Sequence, residues 1–202
     1  MTIGFNNNYF YGKFNNRGIM DTEFLNGEKI FLRAYREDDE VMFARIENHP
    51  ATRKTLYYAF PTSVGQQKEK ILKNLNDPNA VIFTICRNGD GVAIGQTAFF
   101  RIDWVGRMTV FYIGNADQEN WSKGYGSEAT ELMVEYAFQT LNLNRVQLHV
   151  AVENPGAIKV YQRVGFQIEG TLREAMFHEG HYSDFYVMGI LKSDWEKVKK
   201  GK

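Results

Sequence analysis

Cysteine is nearly absent. Cys86 is the only one in 202 residues, so no disulfide can form within the chain. The four histidines are scattered, and no Cys/His group has zinc-ligand spacing, which argues against a structural metal. Surplus charge is lacking too: 24 basic residues meet 24 acidic ones, leaving no global field to attract phosphate backbones, so no nucleic acid partner is expected. No apolar run approaches the roughly 18 residues of a membrane span, and no basic start precedes an apolar signal core. A cytoplasmic protein with no membrane partner is the expectation. With only 4 prolines, and with 44% hydrophobic and 14% aromatic residues, the chain can build one ordered core.

Residues 1–26 differ from the rest. Asparagines at 6, 7, 8, 15, 16 and 26 alternate with Phe5, Tyr9, Phe10, Tyr11 and Phe14 without helix or strand periodicity. Such sequence cannot offset its ordering entropy alone, so it reads as an extension. It is either a flexible tail or a strap that packs on the domain or on a second copy in a homodimer. Residues 27–202 then form a single domain, ending in a lysine-rich stretch, Lys192 to Lys202, expected to fray.

Within the domain, Ile30 to Tyr35 reads as a strand. A helix from about Asp38 to Asn48 follows, its Glu37, Asp38, Asp39 and Glu40 suiting a solvated positive helix start. Ser63 and Gln66 have capping-box spacing ahead of a helix whose apolar face is Ile71, Leu72 and Leu75. Val81 to Cys86, Val92 to Ile102 and Thr109 to Ile113 form an antiparallel meander with turns at Asn88-Gly89-Asp90-Gly91 and Val105-Gly106. Ala129, Leu132, Met133, Tyr136 and Ala137 fall at helical spacing, and Val146 to Val152 alternates as a strand. Asn154-Pro155 opens a last helix that Gly165 closes, and two strands, Phe166 to Phe177 and Asp184 to Leu191, finish the chain. The order predicts an α/β fold: a mixed, mostly antiparallel sheet flanked by helices on both faces.

The stretch Asn120 to Ala129 lies between a strand and the best helix. Its glycines let backbone N–H groups converge, the helix start favours an anion, and Lys123 adds a full charge, together a pyrophosphate cradle. A loop that merely caps the helix fits the same local pattern. Lys123 precedes the glycines, which rules out a Walker loop. Gly124-x-Gly126-x-x-Ala129 meets the spacing of a dinucleotide fingerprint and keeps a nicotinamide- or flavin-nucleotide enzyme open. Against that, about seven residues separate Ile113 from Trp121, and no carboxylate stands between Glu135 and Glu153 to take a ribose.

A third reading comes from resemblance. Trp121-x-x-Gly124-x-Gly126 resembles the Gln/Arg-x-x-Gly-x-Gly/Ala signature of the GNAT superfamily of acyl-CoA-dependent N-acyltransferases, with Trp121 in place of the usual polar residue. The run from Leu141 to Pro155, followed by Ala157, Tyr161, Gly165 and Phe166, is similar to the polyamine and ribosomal-protein N-terminal acetyltransferase branches. The likeness is close over about Asn120 to Leu191. It implies a GNAT-like fold and transfer of an acetyl group from acetyl-CoA to a primary amine of a small metabolite, polyamine-like or amino-sugar-like, or of a protein N-terminus. A silent acyl-CoA-binding sensor is the alternative within that family.

The resemblance also implies roles. Gly114, Asn115 and Ala116 would receive the pantetheine arm, Lys123, Gly124, Tyr125, Gly126 and Ser127 would hold the pyrophosphate, and Asn154 would contact the cofactor. Tyr161 would be the general acid. Seven helical residues at about 100° each leave Asn154 and Tyr161 only about 20° apart, so both are expected on one helix face. Many relatives carry a glutamate on the strand before the cradle, where this sequence has Val110 and Phe111. The general base is therefore unassigned, with Glu174, His178, His181 and Asp184 as candidates. His149 reads as a partly buried histidine and Cys86 as a small core residue. Arg53, Lys54, Tyr57, Tyr58 and Phe60 supply a cationic and aromatic acceptor lip instead of dense carboxylates; Glu37 to Glu40 could provide carboxylates for a polyamine, although the solvated helix start already explains them.

Overall fold

A computed structural model describes residues 22–56, 58–115 and 122–200. Most of the extension, Tyr57, and Ala116 to Trp121 of the predicted site lie outside the described residues. The elements run β1 (Leu25–Asn26), β2 (Ile30–Arg33), α1 (Asp39–Asn48), α2 (Pro50–Arg53), α3 (Val64–Leu75), β3 (Val81–Arg87), β4 (Ala93–Asp103) and β5 (Met108–Asn115). They continue with α4 (Tyr125–Glu135), β6 (Arg145–Ala151), α5 (Pro155–Val164), β7 (Gln167–His178), β8 (His181–Leu191) and α6 (Lys192–Lys200). The predicted α/β architecture is present, with two-residue β1, one-turn α2 and α6 added.

Eight strands form one sheet in the order β1-β2-β3-β4-β5-β6-β8-β7. Every pair is antiparallel except β5 with β6. The main core lies between the sheet and α4, α5 and α6, where Ile30, Phe99, Met133, Leu148, Tyr161 and Trp195 meet. Phe43, Ile46 and Ile71 of α1 and α3 make a smaller cluster. The last turn after α4 is π-helical, Leu141 N donating to Tyr136 O at 3.0 Å across residues 136–140, and it buries Phe138.

Local chemistry explains the helix ends. Ser63 Oγ accepts from Gln66 N at 3.2 Å while Gln66 Oε1 accepts from Ser63 N at 2.9 Å, completing the predicted box. Gly165 ends α5 at φ 115°, a left-handed value that only glycine adopts cheaply.

Several expectations fail for tertiary reasons. Leu72 and Leu75 are exposed, because α3 turns Ile71 and Gln67 inward and no neighbour covers its outer apolar edge. The β2 strand stops at Arg33, and the acidic start of α1 is not solvated. Asp39 is buried, accepting from Arg33 Nη1 and Nη2 at 2.7 and 2.9 Å and from Thr84 Oγ1 at 2.7 Å. Glu40 is buried too, under the Tyr35 hydroxyl at 2.6 Å. The lysine-rich end is helical rather than frayed, since Trp195 is buried 5.6 Å from the Phe138 ring centroid. His149 is exposed, its neighbours in β6 turning the apolar side chains inward instead. Among the described residues no helix is long and apolar enough to cross a membrane.

Candidate active site

The parallel join between β5 and β6 is short. Met108, Thr109 and Val110 pair with Arg145, Val146 and Gln147, and there the pairing ends. Beyond it β5 follows β4 to the Gly95–Asn115 pair, while β6 follows β8 to the Ala151–Phe185 pair. The two central strands therefore part, and the edge of β5 over Phe111 to Asn115 turns unpaired main-chain groups into the opening. Gly114 and Asn115 stand on that edge, and the Asn115 Oδ1 is buried without a hydrogen-bond partner among the described residues.

At the end of the opening α4 begins. Gly124 is its N-cap at φ 89°, a left-handed conformation that accounts for the glycine. The first intrahelical bond is Glu128 N to Gly124 O at 3.0 Å, and the amides of Tyr125, Gly126 and Ser127 have no acceptor among the described residues. A Cβ on Gly126 would meet only Asn115 Nδ2, at 3.5 Å. The space over Gly126 is thus open, and three amide donors with the positive helix end surround it. This suits a pyrophosphate.

A turn far away in sequence fastens this loop. Glu128 accepts from the backbone N–H groups of Glu28 and Lys29, between β1 and β2, and Lys29 Nζ donates to Lys123 O at 3.3 Å. Lys29 Nζ would lie 3.0 Å from a Cβ on Gly124, which puts the Lys29 ammonium at the start of α4. No local pattern marks Lys29, because the contact spans 94 positions.

Tyr161 lies on α5 with its ring edge-on to Phe111, centroids 6.4 Å apart at 90°, and 5.9 Å from Phe166. Burial, and secondarily the nearby Tyr112, push its phenol well above the ordinary tyrosine range. Asn154 does not share a helix face with it. At φ −109°, ψ 68° Asn154 is the N-cap, outside the helix, so the angular spacing does not apply, and its Oδ1 accepts from Ala157 N at 3.1 Å.

On the other side of β5 a cavity of about 140 Å³ opens between α1, α3 and the sheet. Glu47, Gln67, Lys70, Tyr58 and Tyr112 are among its walls. The Tyr58 and Tyr112 hydroxyls are 2.6 Å apart, and Gln96 Nε2 donates to Tyr112 at 3.2 Å. Glu47 Oε1 accepts from Lys70 Nζ at 2.6 Å. Tyr58 thus belongs to the cavity, whereas Phe60 is left exposed on the surface. Glu47, like Lys29, is absent from the sequence candidates. Glu40, Phe43 and Glu47 fall at i, i+3 and i+7, a stripe of helical spacing that places acids on a buried face.

None of the residues of the final hairpin lines this cavity. Asp184 Oδ1 accepts from Glu174 N at 2.8 Å beside a shallow hollow of Thr171, Leu172 and Arg173. His178 and His181 face Glu179 and Glu153, each at 3.6 Å. Cys86 is buried, and burial raises its thiol to about 11. No group of three or more metal-ligating side chains occurs among the described residues.

Residues 29–167 match the Acetyltransferase (GNAT) domain. An uncharacterized N-acetyltransferase of Bacillus licheniformis is 30% identical over 86% of this chain and 98% of its own length. Spermidine N(1)-acetyltransferase of Vibrio cholerae is 31% identical over 83% of this chain and 95% of its own. The crystal structure of a spermidine N-acetyltransferase from Vibrio cholerae in complex with CoA and spermine superposes with a TM-score of 0.76 at 28% identity, covering 83% of this chain and 98% of that one.

Proposed function

Since the chain belongs to the GNAT acetyltransferase family and is an acetyl-CoA-dependent N-acetyltransferase, we propose that its acceptor is a primary alkyl amine of the polyamine type, approaching from the cavity beside Tyr112. The observation that carries this reading is the parting of β5 from β6, which opens between the α4 amides on one side and Tyr161 on the other. Relatives that acetylate spermidine support the acceptor class.

When bound, acetyl-CoA supplies a thioester carbonyl and a thiolate leaving group. The residues of this chain fit it. Tyr125, Gly126 and Ser127 would offer amides to the pyrophosphate, with the Lys29 ammonium at the start of α4 and Lys123 in the loop ahead of it. The free edge of β5 at Gly114 and Asn115 offers main-chain groups to the arm, and fixed N–H donors there would stabilise a developing oxyanion. Asn154 steadies the start of α5 through its cap, and so sets where Tyr161 stands. Tyr161 holds its proton throughout the working range, because burial penalises the phenolate; it would give that proton to the departing sulfur and be restored by the one the attacking nitrogen sheds.

The amine must arrive neutral. An alkylammonium of ordinary pKa near ~10.4 costs about 4–5 kcal/mol to deprotonate at neutral pH. That proton would pass to solvent water at the mouth of the cavity that the Tyr58–Tyr112 hydroxyl pair lines.

The test is acetyl transfer from acetyl-CoA to a panel of straight-chain diamines, an amino sugar and an N-terminal peptide. Diamines are expected to react with the highest kcat/KM. Faster transfer to the peptide or the sugar would reject the alkyl amine reading.

A further inference from the structure

The cavity between α1 and α3 is lined by oxygen atoms that call for N–H donors. The Glu47 side chain is only 6% exposed, yet its ion-pair partner, Lys70, is 51% exposed on a flexible stem. Gln67 is 1% exposed, and its Oε1 is buried without a hydrogen-bond partner among the described residues. The Lys70 ammonium also lies 5.6 Å from the centre of the Tyr58 ring. A buried carboxylate, an unsatisfied amide oxygen and an aromatic face together select an alkylammonium. Lysine carries that same group at the end of a four-carbon chain, so one of the protein's own side chains already displays the ligand chemistry.

We propose that Glu47, Gln67 and Tyr58 form a cation-anchoring subsite for the acceptor, and that Lys70 is its resident occupant, which the substrate's ammonium displaces into solvent. This rests on the acyl-transfer reading above. A buried Glu47 cannot be left without a counter-charge, so the exchange must swap one ammonium for another, and the half-exposed lysine is the partner free to leave. A carboxylate partner favours the charged form of an amine, the wrong state for attack on a thioester. The anchored end is therefore the one that does not react, and the acceptor carries at least two amino groups. Size narrows it further. A cavity of about 150 Å³ holds a benzene-sized molecule, so about 140 Å³ takes a straight segment of about six heavy atoms and excludes a hexosamine ring.

The experiment is calorimetric titration of 1,4-diaminobutane and of n-pentylamine, its equal in heavy atoms, into CoA-saturated protein. Parent, Lys70→Met and Glu47→Gln are compared, and CoA affinity reports whether each variant is folded. The parent should prefer the diamine. Lys70→Met, freed of its internal competitor, should bind the diamine at least about fivefold more tightly. Glu47→Gln should bind it at least about tenfold more weakly and lose the preference over n-pentylamine. Parent-like or weaker diamine binding by Lys70→Met overturns the proposal, and so does a preference that survives in Glu47→Gln. If Glu47→Gln does not fold, Lys70→Met decides alone. Acetyl transfer by the parent without these binding changes rejects only the subsite, whereas the binding changes without transfer to the diamine reject only the acceptor class.

Discussion

The hydroxyls of Tyr58 and Tyr112 meet at 2.6 Å, tying the loop after α2 to the middle of β5. Gln96 Nε2 donates to the Tyr112 oxygen at 3.2 Å, so that hydroxyl is held from two sides. Burial raises both phenols above the ordinary tyrosine value, which keeps the pair neutral. Tyr58→Phe should take away the Tyr112 hydroxyl's partner and cost about 1–2 kcal/mol in urea unfolding. The double Phe variant should cost less than the sum of the singles by at least about 0.5 kcal/mol. Strict additivity would show that the contact carries no energy.

Gly126 offers a cleaner separation of fold from ligand. Its Cβ position touches only Asn115 Nδ2, at an ordinary 3.5 Å, and its backbone is helical, so Gly126→Val should fold with a melting temperature close to the parent's. The new methyl groups would fill the space over the α4 amides, and CoA affinity should fall at least about tenfold by calorimetry. Parent-like CoA binding would reduce the loop to a helix cap.

Asp39 is surrounded by donors: Arg33 on two nitrogens, Thr84, and the Arg36 amide at 2.9 Å. Asp39→Asn keeps the shape but leaves the buried Arg33 guanidinium without its counter-charge. A loss of about 3–5 kcal/mol in denaturant unfolding is expected. A loss below about 1 kcal/mol would mean that Arg33 finds another partner.

These cases show what can be read from one strand of letters. The Ser63–Gln66 box, the Asn154 cap and the Gly165 stop were all visible, because capping is settled by side chains three or four positions apart. The fold order followed from them and from the periodicity of the strands. An acid at a helix start has a sufficient local reason to be there, and only the fold brings Arg33 and Thr84 to Asp39. Lys29 and Glu47 escaped for the same cause: one reaches the cradle from the first turn, and the other pairs across to α3. Trp195 was hidden by the lysines around it, although one buried ring was enough to dock α6.

Cys86 carries a pH dependence whose sign is fixed by burial. Its thiol is raised to about 11, so the folded state resists ionisation that the unfolded chain allows from about 8.5. The stability it contributes is whole below that pH and is lost as pH rises toward 11, by about 3 kcal/mol in all. Buried tyrosines add to the same decline above pH ~10, so the comparison must be between parent and Cys86→Ala. The variant should start less stable at pH 7, having lost core volume, and should fall less steeply between pH 9 and 11. Parallel curves would show that the thiol does not titrate differently on unfolding.

Tyr161 is the residue on which the proposed chemistry turns, and its surroundings allow a structural role to be told from a catalytic one. The ring is held edge-on by Phe111 and flanked by Phe166, contacts that Tyr161→Phe keeps in full. The change removes only the hydroxyl oxygen and should move the unfolding midpoint little. If the hydroxyl protonates the departing thiolate, kcat should fall by roughly 10²- to 10⁴-fold while CoA affinity stays near the parent value. Because the phenol is raised rather than lowered, the parent's rate should show no alkaline fall from Tyr161 up to pH ~10. A less reactive thioester leaving group should widen the gap between parent and variant, and a better one should close it. An unchanged kcat in Tyr161→Phe, with acetyl transfer confirmed in both proteins, would make Tyr161 a packing residue and hand the proton to water.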